Sequence, residues 1–402
     1  MLEIKGKHAT ALCYASIVED EAIEQIRRMC DQEFAAGSRI RIMPDVHTGV
    51  GCTIGCTMTI ADKVVPNIVG VDIGCGMYTV DLGAVDIDFE RMDEAAHHIP
   101  SGKNVWEGRQ ERFDLTELRC YRALRDARRL ERSLGTLGGG NHFIEIDEAA
   151  DGRRFLIIHS GSRSLGLQVA NHYQRLAVEL NLGKEEFFRA REELIRTYKE
   201  QGRRQEIQKA LRAMEKAFQL REPTLPEDLC FLYGSYLEDY LHDVEICQRF
   251  ACRSREKMAE IILARLGLQP RSAFHTIHNY IDVEERILRK GAIAAHEGEM
   301  VLIPINMRDG SVLARGRGNV EWNCSAPHGA GRLMSRTRAR ESLDLEAYRA
   351  AMEGVYTTSV NERTLDEAPM AYKSLQDIIG VIRDSVDVIE VLRPIYNFKA
   401  SD

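Results

Sequence analysis

The stretch Val69-Gly70-Val71-Asp72-Ile73-Gly74-Cys75-Gly76-Met77 constrains this chain more than any other. Glycines 70, 74 and 76 bracket one carboxylate and one thiol, and the apolar run Val64 to Val71 leading into them has strand composition. Glycine accepts positive φ and lets a backbone come close to a ligand, so Asp72 and Cys75 can turn toward one point. A carboxylate with a thiolate is a mixed hard and soft donor pair, suited to a borderline divalent transition metal. On its own the pair is more simply read as a turn aspartate beside a buried cysteine. Segments further along shift that balance.

The chain, 402 residues with 44% hydrophobic and 29% charged content, can bury a full core. No apolar run approaches the roughly 20 residues of a membrane helix. The N-terminal residues hold no long apolar segment, so no signal peptide is expected. Ten cysteines without CxxC spacing read as reduced thiols, which places the chain in the cytoplasm. A net charge of −8 gives no global sign of nucleic-acid binding. Locally, seven arginines (308, 315, 317, 332, 336, 338 and 340) stand against only Asp309 and Glu321. Such a stripe can meet a polyanion on an acidic protein, or be no more than a solvated face.

In chain order, helical spacing at Ala22, Ile23, Ile26 and Met29 predicts a helix over Glu19 to Ala36. In the extended segment Ile40 to His47, Asp45 and His47 share a face, and His47 reads most simply as a hydrogen-bonded core histidine. Residues 86–133 alternate acidic and basic helical patches, with Arg122 to Arg132 read as a solvated helix face. A glycine-rich loop then enters Asn141-His142-Phe143-Ile144-Glu145, whose alternation sets His142 opposite Asn141 and Glu145. The apolar run Phe155 to Ile158 ends in His159-Ser160-Gly161-Ser162-Arg163, which reads as the rim of a site. From about 168 to 266 glycine becomes scarce and helical patterning takes over, with a break at Glu222 to Pro226. Sheet-like sequence flanks this region, so it reads as a helical insertion into one domain spanning 1–402. Beyond it come Phe274 to Tyr280 with His278, then Arg289-Lys290-Gly291-Ala292, then Ser325-Ala326-Pro327-His328-Gly329-Ala330-Gly331-Arg332. Small residues around His328 predict a loop, with a helix beginning near Arg332, a setting suited to phosphate. Ser374 to Leu392 is expected as a final helix.

Asp72, Cys75, His142, His159 and His278 each end or interrupt a strand-like run next to Gly, Ser or Asn. One carboxylate, one thiolate and three imidazoles suffice for two divalent ions if the thiolate bridges them; Mn²⁺, Zn²⁺ and Co²⁺ all suit the donors. Paired metals can stabilise the attacking and leaving oxygens of an in-line displacement at phosphorus. The fold class that follows is α+β: a single large domain with mixed β-sheets around a dinuclear metal site. By residues alone the reading stops at metal-dependent phosphoryl chemistry near an arginine-rich surface.

These motifs, from Gly70-Val71-Asp72-Ile73-Gly74-Cys75-Gly76 to His328-Gly329-Ala330-Gly331-Arg332 and a lysine near the C-terminus, resemble the RtcB-type RNA-splicing ligases over essentially the whole chain. The resemblance implies a ligase that joins RNA 2′,3′-cyclic-phosphate or 3′-phosphate ends to 5′-hydroxyl ends with GTP and Mn²⁺. It implies that Asp72, Cys75 and His142 bind one Mn²⁺, that Cys75, His159 and His278 bind the other, and that His328 becomes guanylylated. Asn141, Glu145, Ser311, Lys290, Tyr372 and Lys399 would contact the nucleotide, while Arg163 and Arg332 would bind RNA or the reacting phosphates. The expected substrates are cleaved tRNA or rRNA, with no membrane partner.

The chain departs from the family at Pro304-Ile305-Asn306-Met307-Arg308, where many members carry Pro-Gly-Ser-Met-Gly, and at Pro327, where serine often precedes the histidine. The runner-up reading is a metal-dependent cyclic phosphodiesterase that processes RNA ends without joining them.

Overall fold

Alternating apolar residues assemble two large sheets, and the ends of their strands carry the chemistry-bearing side chains. The computed structural model describes residues 1–15, 18–218 and 222–399. The first sheet has six strands in the order Leu2–Lys5, Thr10–Cys13, Ile40–His47, Ile54–Thr59, Ile287–Lys290 and Asn279–Asp282. Its neighbours are antiparallel except the second and third, which are parallel. The second sheet has seven strands in the order Ser272–Ile277, Gly76–Gly83, Arg154–Ser160, Phe143–Glu148, Val386–Lys399, Gly310–Gly316 and Met300–Asn306. It is antiparallel throughout.

Register in the second sheet explains how distant motifs meet. Ile277 pairs with Gly76, Gly76 with Ser160, His159 with Phe143, and Phe143 with Lys399. His278, Cys75, His159, His142 and Lys399 therefore lie at one end of five adjacent strands. The helix Gly234–Leu266 packs against the strands Gly76–Gly83 and Arg154–Ser160 and against the helices Phe89–His98 and Arg163–Asn181. The helices Lys184–Glu200 and Ile207–Ala217 lie between these in sequence. None of the described helices is long and apolar enough to cross a membrane.

Several local expectations are corrected. The run Val64 to Val71 is not one strand: after Lys63–Val64 comes a short helix, Pro66–Val69, because Pro66 is pre-shaped for a first helical turn and Gly70 stops it at φ 92°. The helix expected over Glu19 to Ala36 spans Asp20–Cys30, and extended Gln32 separates it from a 3₁₀ turn at Glu33–Ala35. The basic segment Arg122 to Arg132 is not one helix: a 3₁₀ turn covers Tyr121–Ala123 and an α-helix Ala127–Arg132. The helix after His328 begins at Arg336, capped by Ser335, and not near Arg332. The final helix stops early, at Leu375–Ile382, and Val386–Lys399 is a 14-residue strand. The β-branched residues Val386, Val388, Ile389 and Val391 favour that strand, which pairs with both Gly310–Gly316 and Phe143–Glu148.

The long helix is tied to the preceding loops by Asp243, which is fully buried. Its carboxylate accepts from the Arg119 and Cys120 backbone N–H groups at 2.8 and 3.0 Å and from the Tyr173 hydroxyl at 2.8 Å. Asp243→Ala strands these donors, at a cost of about 1–3 kcal/mol for each one left buried and unpaired. We expect a loss of roughly 3 kcal/mol in urea unfolding with an unchanged m-value.

Candidate metal and nucleotide site

Cys75 opens the strand Gly76–Gly83, and two backbone bonds fix it against the neighbouring strand ends: Gly74 N–H to the Asn279 carbonyl at 2.6 Å and His278 N–H to the Cys75 carbonyl at 2.9 Å. Cys75 Sγ lies 3.5 Å from His142 Nε2 and 3.3 Å from His159 Nε2. The three donor atoms are within 4.8 Å of one another, and all three residues are buried. His278 Nε2 is 3.4 Å from His159 Nε2, and Asp72 Oδ2 is 3.1 Å from His142 Nε2. The structure thus brings together all five residues singled out in the sequence.

The rings are oriented from behind. His142 Nδ1 donates to the Leu137 carbonyl at 2.8 Å and His159 Nδ1 to the Asn141 carbonyl at 3.0 Å, which leaves each Nε2 with a lone pair turned to the thiol. Burial, then the neighbouring imidazoles His278 and His142, keep His159 well below the usual histidine range; burial and His328 do the same for His278. Neutral imidazole is the ligating form. Burial pushes the Cys75 thiol up, and Asp72 adds to this. Burial also raises Asp72, but His142, the Cys75 thiol and the Arg163 charge together outweigh it and hold the carboxyl below the ordinary value. Nitrogen, sulfur and oxygen donors converging with lone pairs inward fit a divalent transition ion, whose charge would favour the thiolate.

His328 stands beside this cluster, its ring centroid 5.0 Å from that of His278. Its Nδ1 is 2.7 Å from Asp45 Oδ2, and its backbone N–H donates to the same oxygen at 3.3 Å. Asp45 is fully buried. The sequence placed Asp45 on one face with His47, and nothing in it signalled a partner 283 residues away. His47 turns its Nδ1 to the Asp45 carbonyl at 3.0 Å and lines the same cavity.

That cavity, of about 250 Å³, is bounded by His159, His278 and His328, and also by Asn141, Glu145, Tyr372, Lys399, Arg332 and Arg336. Glu145 accepts from Asn397 Nδ2, and burial pushes its carboxyl up to about 7. Glu367 organises another part of the wall. It pairs with Lys399, accepts from the Tyr372 hydroxyl at 2.9 Å, and meets Arg336 at 2.7 Å. Arg332 donates to the Tyr372 oxygen at 3.0 Å and lies over its ring. The sequence reading missed Glu367 because it sits in an unpatterned 3₁₀ turn, Glu362–Glu367.

Other expected residues are placed differently. Lys290 is not at the cavity: its ammonium is held by the carbonyls of Val50 and Asn67. Ser311 is fully buried in its strand beside Asp147, while its neighbour Gly310 lines the cavity. Arg163 lies on the Asp72 side of the cluster, bound to Thr136 Oγ1 at 3.2 Å and to the Gly102 carbonyl at 2.5 Å. The arginine stripe does not form one free surface. Arg308 pairs with Asp309, Arg317 with Asp387, and Arg336 and Arg340 with Asp366. The departing loop folds on itself, with Asn306 Oδ1 accepting from the Arg308 and Asp309 backbones at 3.0 and 2.9 Å.

Two substitutions probe this geometry. A Cβ at Gly161 would overlap the Asp72 carboxylate. Gly161→Ala is therefore expected to weaken binding of a divalent transition ion by about tenfold or more, measured by calorimetry, with little change in the thermal midpoint. Burial raises Glu367, but Lys399, Arg336 and Arg332 outweigh it and hold the carboxyl at about 2, against an ordinary 4.5. Because the folded value is the lower one, its stabilisation is complete above about pH 4.5 and is lost as pH falls toward 2. Glu367→Gln should flatten that acid limb in unfolding measurements between pH 2 and 5.

A family model described as tRNA-splicing ligase RtcB matches residues 25–126 and 120–400. The chain is 32% identical over 421 residues to an RNA-splicing ligase RtcB of Escherichia coli strain K12, covering 94% of each protein. It is 26% identical over 440 residues to a tRNA-splicing ligase RtcB of Aeropyrum pernix, covering 85% of this chain and 83% of that one.

Proposed function

The chain belongs to the RtcB family and is an RNA ligase, and we propose that it joins RNA ends bearing a 2′,3′-cyclic phosphate or 3′-phosphate to 5′-hydroxyl ends with GTP and two Mn²⁺ ions. The observation that carries this reading is His328: its Nδ1 is held by buried Asp45, and its ring borders a cavity shared by His159, His278, Tyr372 and Lys399. Asp72, Cys75 and His142 would hold one ion, and Cys75, His159 and His278 the other, with the thiolate common to both. The same donors accept Zn²⁺ or Co²⁺. Bound there, divalent ions supply positive charge that lowers the repulsion met by a nucleophile at phosphorus.

With Asp45 fixing the Nδ1–H tautomer, His328 Nε2 carries the lone pair that attacks the α-phosphorus of GTP. A nitrogen–phosphorus bond forms and pyrophosphate leaves, giving histidine-bound GMP. The guanylyl group then passes to an RNA 3′-phosphate oxygen, which frees His328. Attack by the 5′-hydroxyl on that phosphate forms the phosphodiester and releases GMP. A cyclic phosphate is first opened by water to the 3′-phosphate. Asn141, Glu145, Tyr372 and Lys399 bind the nucleotide, and Glu367 holds the last two in place. Arg332 and Arg163 bind RNA or the reacting phosphates. The helices between about 168 and 266 act as an insertion that buttresses the metal side. Ten free cysteines support a cytoplasmic setting, and cleaved tRNA or rRNA supplies such ends.

Incubation with α-labelled GTP and Mn²⁺ is expected to give an acid-labile guanylate on the wild type and none on His328→Ala. Asp45→Asn, which keeps the shape but not the charge, should slow adduct formation by about 10²-fold. An adduct that persists in His328→Ala would reject the nucleophile. GTP-independent opening of cyclic phosphate without joining would favour an end-processing hydrolase.

A further inference from the structure

The helix Gly234–Leu266 shows no chemistry in its sequence, yet it sends one charged side chain beneath the metal donors. Arg255 is fully buried, with 0% exposure. Its Nη1 donates to the carbonyls of Gly74 at 2.8 Å and Ser160 at 2.7 Å, its Nη2 meets Cys252 Sγ at 3.3 Å, and its Nε has no partner. Among the described residues no carboxylate pairs with it. The contrast with its neighbours on the same helix is plain. Arg249 pairs with Glu117, and Arg253 with Glu111, Glu256 and Glu260, all at a more open surface.

A guanidinium taken out of water costs several kcal/mol unless a counter-charge compensates it. Two carbonyls and a thiol satisfy hydrogen bonds but carry no net charge. The carbonyls are not arbitrary ones. Gly74 immediately precedes Cys75, and Ser160 immediately follows His159. One nitrogen of Arg255 therefore ties together the two chain segments from which the thiol and the imidazole hang.

We propose that Arg255 is a positioning residue of the metal centre, fixing the separation of Cys75 and His159 from behind through the carbonyls of Gly74 and Ser160. This rests on reading the Cys75–His142–His159 cluster as a divalent metal site. A role as a plain structural strut would lower stability without changing the metal's surroundings.

The test is a Co²⁺ titration of the full-length, metal-free protein, followed through the near-ultraviolet thiolate-to-cobalt absorbance, for wild type, Arg255→Met and Arg255→Lys. Thermal midpoints of the metal-free proteins serve as the folding control. Wild type should show the band. Arg255→Met should bind Co²⁺ about 10–100-fold more weakly, with a reduced band, the range typical when an outer partner of a metal ligand is lost. Arg255→Lys keeps the charge but reaches fewer acceptors, and should recover part of the loss. Unchanged affinity and band in a folded Arg255→Met overturn the proposal, whatever its thermal midpoint. If Arg255→Met does not fold, unchanged affinity and band in Arg255→Lys do the same. No band in the wild type would overturn the metal reading together with this proposal, whereas equal bands in all three proteins would overturn this proposal alone.

Discussion

Antiparallel register in the second sheet is the constraint on which the site depends. Gly76 opposite Ser160 and Phe143 opposite His159 bring Cys75, His159 and His142 to one edge, although up to 84 residues separate them. A slip of one residue would turn every side chain of a strand to the other face. Both faces near this edge are packed: Leu156 and Ile158 are buried in one core, Phe155 and Ile157 in another. The hydrophobic effect that sets the register thus also sets the distances between metal donors.

The strand Val386–Lys399 extends this logic to the cavity wall around Glu367. Its first half pairs with Gly310–Gly316 and its second with Phe143–Glu148, so it links the loop near Asn306 to the edge that carries His142. Asn397 stands opposite Glu145, and Lys399 opposite Phe143. The two sides of the cavity differ in how they manage charge. Near Cys75, burial keeps the imidazoles of His159 and His278 well below the usual histidine range. Around Glu367, carboxylate and cations are already matched through Lys399, Arg336 and Arg332. His328 lies between these regimes, with Asp45 as its own acidic partner.

The sequence was misleading where local pattern and tertiary demand disagreed. Ser374 to Leu392 looks helical because it is apolar at suitable spacing, and its first part is a helix behind the Ser374–Asp377 capping box. The β-branched remainder becomes a strand because two open sheet edges await it, which no local window reveals. The run Val64 to Val71 departs from its strand composition for a local reason: Pro66 opens a helical turn within it.

By itself the sequence determined the family motifs, the α+β class and the candidate ligand types at Asp72, Cys75, His142, His159 and His278, because glycine, histidine and cysteine beside short apolar runs carry chemistry that needs no coordinates to read. Only the tertiary structure decided which groups those residues meet. Asp45 reaches His328 across 283 positions, Glu367 gathers Lys399, Tyr372 and Arg336, and Arg255 comes up beneath Gly74 and Ser160 from a helix with no chemical signature. Such partners are fixed by burial and strand register, which are properties of the packed whole, so a single charged residue in the chain gives no local sign of them.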